Sequence, residues 1–117
     1  LHSFPTRRSS DLCGDFNCEP GSAEHLAMLQ PLPAAPWGDA RAHWVDAWQL
    51  VHGAQPHAPT VGLHGAEWPD RAYCCDYFFV TTDLAARVRE LEVMADTAAS
   101  DHQPVVLTFE AQSSSRA

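Results

Sequence analysis

Lysine and isoleucine are absent from the sequence, and basic residues of any kind are few. The 7 basic residues, all arginine, stand against 15 Asp and Glu residues, so the 117-residue chain carries a formal net charge of −8. Because non-specific binding to nucleic-acid phosphates needs a basic face, this charge argues against that class of function. An acidic chain is better suited to divalent cations, which take carboxylate ligands.

Long apolar runs are also missing. No stretch approaches the roughly 20 residues that a membrane-spanning helix requires, and residues 1–12 lack the apolar segment of a secretory signal. The sequence therefore predicts no membrane span and assigns no compartment. Apolar residues nevertheless make up 45% of the chain, including 4 Trp and 5 Phe. This length and composition predict one globular domain with a core.

The four cysteines do not have the spacing of a zinc module. Cys13 and Cys18 form one pair, whereas Cys74 and Cys75 are adjacent and would point to opposite faces of a strand. A structural zinc site usually takes two well-spaced pairs of ligands. We interpret the cysteines as buried free thiols. A Cys-based zinc module stays open as an alternative, as does a disulfide from Cys13 to either of the adjacent cysteines.

The segment FPTRRSSDL at residues 4–12 differs in character from the rest of the chain. It resembles the translation, in one reading frame, of a widely used sequencing adapter, and a genuine polar linker is the alternative. We interpret residues 1–11 as adapter-derived and exclude them from fold prediction. Residues 12–110 then form the domain, and residues 111–117 form a polar tail.

Hydrophobic periodicity and turn residues predict an α+β fold after residue 11. Short turns between the late strands predict one antiparallel sheet, covered by helices on one face. The predicted elements are a buried strand over 12–16, a helix capped by Ser22, a helix over 43–51, a short strand near Thr60–Val61, and strands over 73–80, 87–95 and 104–110. Alternation in the strand over 87–95 places Arg89 on the same face as Leu91.

Three polar motifs carry the candidate chemistry. Asp15 and Asn17 lie two residues apart at a strand end, where Gly14 permits close backbone approach. Asp101 and His102 form an adjacent pair before the last strand. Asp76 lies within YCCDYFFV, where a carboxylate is costly to bury unless it faces a polar partner such as an imidazole. Phosphoester hydrolysis needs a metal ion, a group that orients water and a group that donates or accepts a proton. Carboxylate, amide and imidazole side chains can hold the ion and serve as both groups.

In this order, LCGDFNCEP, RAYCCDYFFV and ASDHQPVVLTFE together resemble the C-terminal half of the endonuclease/exonuclease/phosphatase superfamily. The resemblance covers residues 12–110. It implies the C-terminal half of a two-sheet α/β sandwich, with mainly antiparallel strands and helices on the outer face. It also implies a metal-dependent hydrolase of phosphoester bonds, whether nuclease, phosphodiesterase or phosphatase, that uses Mg²⁺ or Mn²⁺.

The resemblance further implies a role for each site residue. Asp15 would activate or orient the attacking water near the metal, and Asn17 would position the phosphate. Asp76 would orient the catalytic His102, which contacts the phosphate. The implied catalytic residues are therefore Asp15, Asn17, Asp76 and His102, and the implied metal ligands are Asp15, Asn17 and Asp101. Independently of the resemblance, Arg71 is a candidate substrate-binding residue beside Asn17 and His102, with a structural ion pair as the alternative.

The resemblance also implies a preceding half, which carries a metal-binding glutamate and the partner sheet. We therefore assign the activity to a longer parent protein and expect the 117-residue chain alone to be inactive. A non-catalytic binding domain of the same fold is an alternative. The expected partner is a phosphoester substrate, with nucleic acid left open, and the sequence specifies neither the substrate nor the oligomeric state.

Overall fold

The structure is a computed structural model that describes residues 10–30, 43–65 and 69–111. It has an α+β fold, as predicted, with short helices and antiparallel strands. The elements are β1 (Asp11–Asp15), α1 (Ala23–Met28), β2 (Trp44–Asp46), α2 (Ala47–His52), β3 (Asp76–Thr81), α3 (Thr82–Ala85), β4 (Val88–Val93) and β5 (Val105–Phe109). Within these residues, no helix has the length and apolar character needed to cross a bilayer.

The strands form two antiparallel sheets, one in the order β1-β3-β2 and one of β4 and β5. The prediction that the three late strands share one sheet is wrong. Both edges of β3 are already paired, with β1 on one side and β2 on the other. The chain therefore leaves the first sheet through α3, and β4 finds its partner in β5.

The helix predicted over 43–51 is in fact a strand followed by a helix. Trp44–Asp46 pairs with β3, and α2 begins only at Ala47. Asp46 causes the change because its Oδ1 accepts the N–H of Trp48 at 2.9 Å and so caps the helix. By contrast, the predicted cap of α1 is confirmed, since Ser22 Oγ accepts the N–H of His25 at 3.3 Å.

Strand β1 is exposed along its whole length, so the prediction of a buried strand is wrong. Among the described residues it is an edge strand that pairs with β3 alone, and Leu12 is 40% exposed. The strand begins at Asp11, opposite Val80, one residue before the predicted start of the domain. Residues 1–9, most of the predicted adapter-derived segment, lie outside the described residues, as do residues 112–117 of the predicted tail.

Strand β3 lies at the centre of the core because it contributes to three hydrophobic clusters. Tyr77 and Phe79 pack with Cys74, Val80 packs with two residues from α3 and β4, and Phe78 packs against a cluster of Ala47, Trp48 and Leu91. Full burial of a large apolar side chain contributes about 1.5–3 kcal/mol. The first residue of β3 is therefore attached to the most firmly held part of the described fold.

A β-bulge overturns the predicted faces of β4. The register shifts between Val88 and Glu90, so Val88 and Leu91 are both buried although Leu91 lies three positions after Val88 and regular alternation would put them on opposite faces. Arg89 is exposed and pairs with Glu110, its Nη2 lying 2.7 Å from Oε2. The prediction that Arg89 shares a face with Leu91 is therefore wrong.

Candidate active site

Two aspartates face each other where β1 ends and β3 begins. Asp15 is the last residue of β1 and lies opposite Asp76, the first residue of β3. The chain after β1 is held at the same place, because the N–H of Phe16 donates to the carbonyl of Cys75 at 2.9 Å. Antiparallel pairing thus brings together two carboxylates that are far apart in the sequence.

His102 reaches this point through the segment Thr60–Val61. Val61 forms isolated antiparallel bridges with Tyr73 and with His102. The N–H of Gln103 also donates to the carbonyl of Thr60 at 2.8 Å. The short strand predicted near Thr60–Val61 is therefore a pair of bridges, and these bridges position the backbone of His102 beside the start of β3.

Among the described residues, the side chains of His102, Thr60 and Cys75 donate hydrogen bonds to the Asp76 carboxylate. His102 Nδ1 lies 2.8 Å from Oδ2 and 3.0 Å from Oδ1, which confirms the predicted contact between these residues. Thr60 Oγ1 donates to Oδ2 at 2.6 Å and accepts the N–H of Cys75 at 3.1 Å. Because an ionised carboxylate can only accept, Nδ1 of His102 carries the proton in this arrangement.

The other ring nitrogen of His102 faces the second carboxylate. Nε2 lies 3.7 Å from Asp15 Oδ2, and the His102 side chain is 33% exposed. The hydrogen bond to Asp76 raises the pKa of His102, and the charges of Asp76, Asp15 and Asp101 add to this effect while burial opposes it. The cationic imidazole is therefore more populated at neutral pH than in a free histidine.

Asp15 and Asn17 form a tight turn directly after β1. The N–H of Asn17 donates to Asp15 Oδ1 at 2.7 Å, and Asn17 adopts a left-handed φ of 54°, which asparagine tolerates well. Gly14 has a φ of 134°, but a Cβ there would meet no atom within 4 Å. Its backbone conformation explains this glycine, and the predicted close approach is wrong. Asp15 thus uses Oδ1 in the turn and directs Oδ2 toward His102.

A thiol completes the cluster. Cys75 Sγ lies 3.4 Å from Asp76 Oδ2, and ligand atoms from Asp15, Cys75, Asp76 and His102 all lie within 4.8 Å of one another. Among the described residues, this is the group of His, Cys, Asp and Glu side chains close enough to share a metal ion. All four cysteines are free thiols, and Cys75 is the one that belongs to the cluster.

Asp101 lies next to the cluster in the chain but is not one of its four members. It is exposed, and its Oδ1 accepts a hydrogen bond from Ser100 Oγ at 3.3 Å. Its charge contributes to the raised pKa of His102. The assignment of Asp101 as a metal ligand therefore stays a prediction.

Arg71 forms an ion pair with Glu19, 52 residues away in the sequence. Its Nη1 donates to Glu19 Oε1 at 3.1 Å, and the guanidinium carbon lies 4.7 Å from the centre of the Tyr73 ring. The hydrogen bonds and charge of Arg71 lower the pKa of Glu19. Arg71 and Asn17 line one cavity of about 310 Å³, so two of the predicted substrate-binding residues share a surface.

Two residues of the site do not stand out in the sequence. Thr60 is fully buried and holds Asp76, but it lies in a Pro- and Gly-rich segment that offers no motif. The sequence predicts Cys75 only as a buried thiol. Its position at the site depends on β3 starting at Asp76, one residue later, and strand periodicity does not fix that boundary.

No protein-family model, no curated protein and no solved structure matches this chain. The functional assignment therefore depends on the residues of the site and on their geometry.

Proposed function

We propose that the cluster of Asp15, Asp76 and His102 serves the hydrolysis of phosphoester bonds with Mg²⁺ or Mn²⁺. The observation that carries this proposal is the hydrogen-bonded pair of Asp76 and His102, with Asp15 3.7 Å from the other ring nitrogen. A fixed imidazole beside an exposed carboxylate suits a reaction in which negative charge develops on phosphate oxygens close to a cation.

On this proposal, His102 donates a hydrogen bond to a phosphate oxygen. Asp76 accepts a hydrogen bond from Nδ1–H and so fixes the ring orientation, while Nε2 is directed to the side of Asp15. The raised pKa of His102 favours the cationic form, which donates from Nε2 as well. Stabilising the developing charge in this way lowers the barrier of phosphoryl transfer.

The oxygen donors of the site fit Mg²⁺. This ion is commonly held by one or two carboxylates together with waters and substrate phosphates. Asp15 offers a carboxylate whose side chain is 48% exposed, and we propose Asn17 and Asp101 as further ligands. Bound Mg²⁺ supplies polarisation of the phosphoryl oxygens. Asp15 also orients the attacking water from the same side.

The substrate is proposed to lie across the cavity that Asn17 and Arg71 line. Both Nη atoms of Arg71 pair with Glu19 at this cavity, and we propose that a phosphate displaces that carboxylate, since guanidinium groups bind phosphate oxygens in pairs. The acidic balance of the chain favours a small phosphate ester over a long duplex. Monoesters, diesters and single-stranded oligonucleotides are therefore separate arms of the test.

The proposal is tested with the full protein that the gene encodes, beside the 117-residue chain alone. A panel of aryl phosphate monoesters, aryl diesters and oligonucleotides is incubated with Mg²⁺, with Mn²⁺ and with a chelator. We expect metal-dependent hydrolysis by the full protein and none by the 117-residue chain. Absence of hydrolysis across the whole panel would overturn the proposal.

Variants identify the residues responsible. His102→Ala and Asp15→Asn are expected to lower kcat by at least about 100-fold, as loss of a charge-stabilising or acid–base group typically does. Asp96→Asn is the matched control, because Asp96 is an exposed aspartate between β4 and β5. Retention of activity in both site variants would show that the reaction, if present, occurs elsewhere.

A further inference from the structure

We propose that Cys75, His102, Asp76 and Asp15 form a binding site for Zn²⁺ in which the thiolate of Cys75 is a direct ligand. The site follows from the geometry and chemistry of these four side chains, whether or not the protein hydrolyses phosphoesters. The site differs from the proposed magnesium site in its donors, because sulfur and nitrogen are ligands that Zn²⁺ takes and Mg²⁺ does not favour.

The four side chains offer a set of donors suited to tetrahedral zinc. One ligand atom from each lies within 4.8 Å of the others. Ligands on one tetrahedral Zn²⁺ lie about 3.3–3.8 Å apart, given bond lengths of about 2.0–2.3 Å. The observed separations of 3.4 Å between Cys75 Sγ and Asp76 Oδ2, and of 3.7 Å between His102 Nε2 and Asp15 Oδ2, fall in this range. The remaining pairs lie within the 4.8 Å limit that all four ligand atoms share.

The cluster is open on one side and closed on the other, so that an ion can enter and be enclosed. Asp15 and His102 form the rim, with side chains 48% and 33% exposed. Cys75 and Asp76 form the floor, with the Cys75 residue 5% exposed and the Asp76 side chain 13% exposed. Thr60 holds the Asp76 carboxylate from behind, as supporting groups do for metal ligands.

Charge favours a dication at this place. Two carboxylates lie in the cluster, and the Cys75 thiol adds a further negative charge once it binds a metal as thiolate. When Zn²⁺ binds, the S–H bond breaks, the Zn–S bond forms and the proton leaves to solvent. The two charges of the ion then offset the thiolate and the carboxylates that surround it.

Zinc at this site also blocks the pair proposed to act in hydrolysis. Nε2 of His102 must be free of its proton to bind Zn²⁺, so it no longer donates to a phosphate oxygen. Nδ1–H keeps its acceptor, because Asp76 Oδ1 lies 3.0 Å away even when Oδ2 binds the ion. If the proposed hydrolase activity holds, Zn²⁺ inhibits it.

Cys74 provides a matched control for Cys75. It is the preceding residue and is equally buried, but it packs with Tyr77 and Phe79 and donates to the backbone carbonyl of Asp76 at 3.4 Å. It lies outside the group of metal-ligating side chains. A Cys→Ser change at either position removes one buried thiol, but only the change at Cys75 removes a proposed ligand.

The test is Zn²⁺ and Co²⁺ titration of the purified 117-residue chain at neutral pH under reducing conditions. Zn²⁺ affinity is read by competition with a metallochromic chelator, and Co²⁺ binding by thiolate-to-metal charge-transfer absorption. We expect Cys75→Ser to weaken Zn²⁺ binding by about tenfold or more and to abolish the absorption band. Cys74→Ser should change neither, and excess Mg²⁺ should not displace Zn²⁺.

If Cys75→Ser does not fold, Asp15→Asn provides a second test of the site, because Asp15 lies on the exposed rim. It should weaken Zn²⁺ binding while leaving the unfolding transition of the metal-free chain unchanged. The proposal is overturned if the unmodified chain shows no thiolate–Co²⁺ band. It is also overturned if Cys74→Ser and Cys75→Ser reduce Zn²⁺ affinity equally.

Discussion

His102 Nδ1 donates to the Asp76 carboxylate at 2.8 Å, across a separation of 26 residues in the sequence. The two residues are brought together by different means. Asp76 is fixed by the pairing of β3 with β1, and His102 by the bridge to Val61. The hydrogen bond between Asp76 and His102 therefore depends on tertiary structure. Its presence in solution would show that the site is assembled.

Asp76→Asn is expected to lower the pKa of His102, because the amide oxygen can still accept from Nδ1 but lacks the negative charge that favours the cationic ring. NMR titration of the His102 ring protons measures this directly. Asp96→Asn is the control and should leave the titration of His102 unchanged. An identical His102 pKa in the Asp76 variant and the unmodified chain would show that the two side chains do not interact in solution.

The same interaction makes stability depend on pH. Since the folded-state pKa of His102 is raised, its contribution is fully present below the unfolded value of about 6.5. It is lost as pH increases through the higher folded value. Urea unfolding between pH 5 and pH 9 should show this loss in the unmodified chain and a smaller one in Asp76→Asn. Equal pH dependence in both chains would contradict the expectation.

Thr60→Val is expected to destabilise the fold by about 1–3 kcal/mol. Valine has nearly the shape of threonine, but it leaves the Cys75 N–H without its acceptor and removes a donor to Asp76. The matched change Thr108→Val, at an exposed position in β5, should be close to neutral. Denaturant unfolding compares the two variants, and equal stability would argue that Thr60 does not hold the site together.

Arg71→Ala is expected to weaken the binding of inorganic phosphate without changing the melting temperature. Exposed ion pairs such as Arg71–Glu19 contribute little to stability, whereas a guanidinium beside Asn17 can contact phosphate. Arg89→Ala is the control, because Arg89 forms a similar exposed pair with Glu110 in the second sheet. Phosphate binding measured by NMR should distinguish the variants. If both variants bound phosphate equally, Arg71 would serve only in the surface ion pair with Glu19.

Much of the fold could be predicted from local patterns. The alternating aromatic residues of β3 and the Ser22 cap of α1 are short-range signals, and both elements are present. Sheet membership was not predictable in this way, because it depends on which strand edges are already paired. The bulge in β4 and the capping of α2 by Asp46 also changed the predicted elements, since each depends on backbone geometry that periodicity does not contain.

The candidate site was predictable to the extent that its residues stand out by type. Asp76 attracts attention because a carboxylate inside an apolar strand needs a partner, and His102 is that partner. Thr60 did not stand out because its Pro- and Gly-rich segment offers no motif, and Cys75 did not because a thiol beside apolar strand residues is common in a core. Their roles depend on where β3 starts and on the two bridges of Val61.

A second histidine–aspartate pair lies in the core, away from the candidate site. His25 Nε2 lies 2.8 Å from Asp46 Oδ2, and the two side chains are only 3% and 4% exposed. The N–H of Gly21 lies 3.0 Å from Nδ1 of the ring, and the ring stacks on Tyr77 with a centroid distance of 5.0 Å. Both ring nitrogens are therefore engaged, and the pair joins α1 to the junction of β2 and α2.

Asp46→Ala is accordingly expected to destabilise the fold by about 2–4 kcal/mol, because it leaves the buried Nε2–H of His25 without its acceptor and removes the cap of α2. Asp46→Asn keeps an oxygen for the cap but not the carboxylate for His25, so it should fall between Asp46→Ala and the unmodified chain. Asp96→Ala, at an exposed position, should be nearly neutral. Urea unfolding ranks the three variants. If Asp46→Ala were no less stable than Asp96→Ala, the pair would have no part in joining α1 to α2, and the packing of His25 on Tyr77 would have to hold α1 by itself.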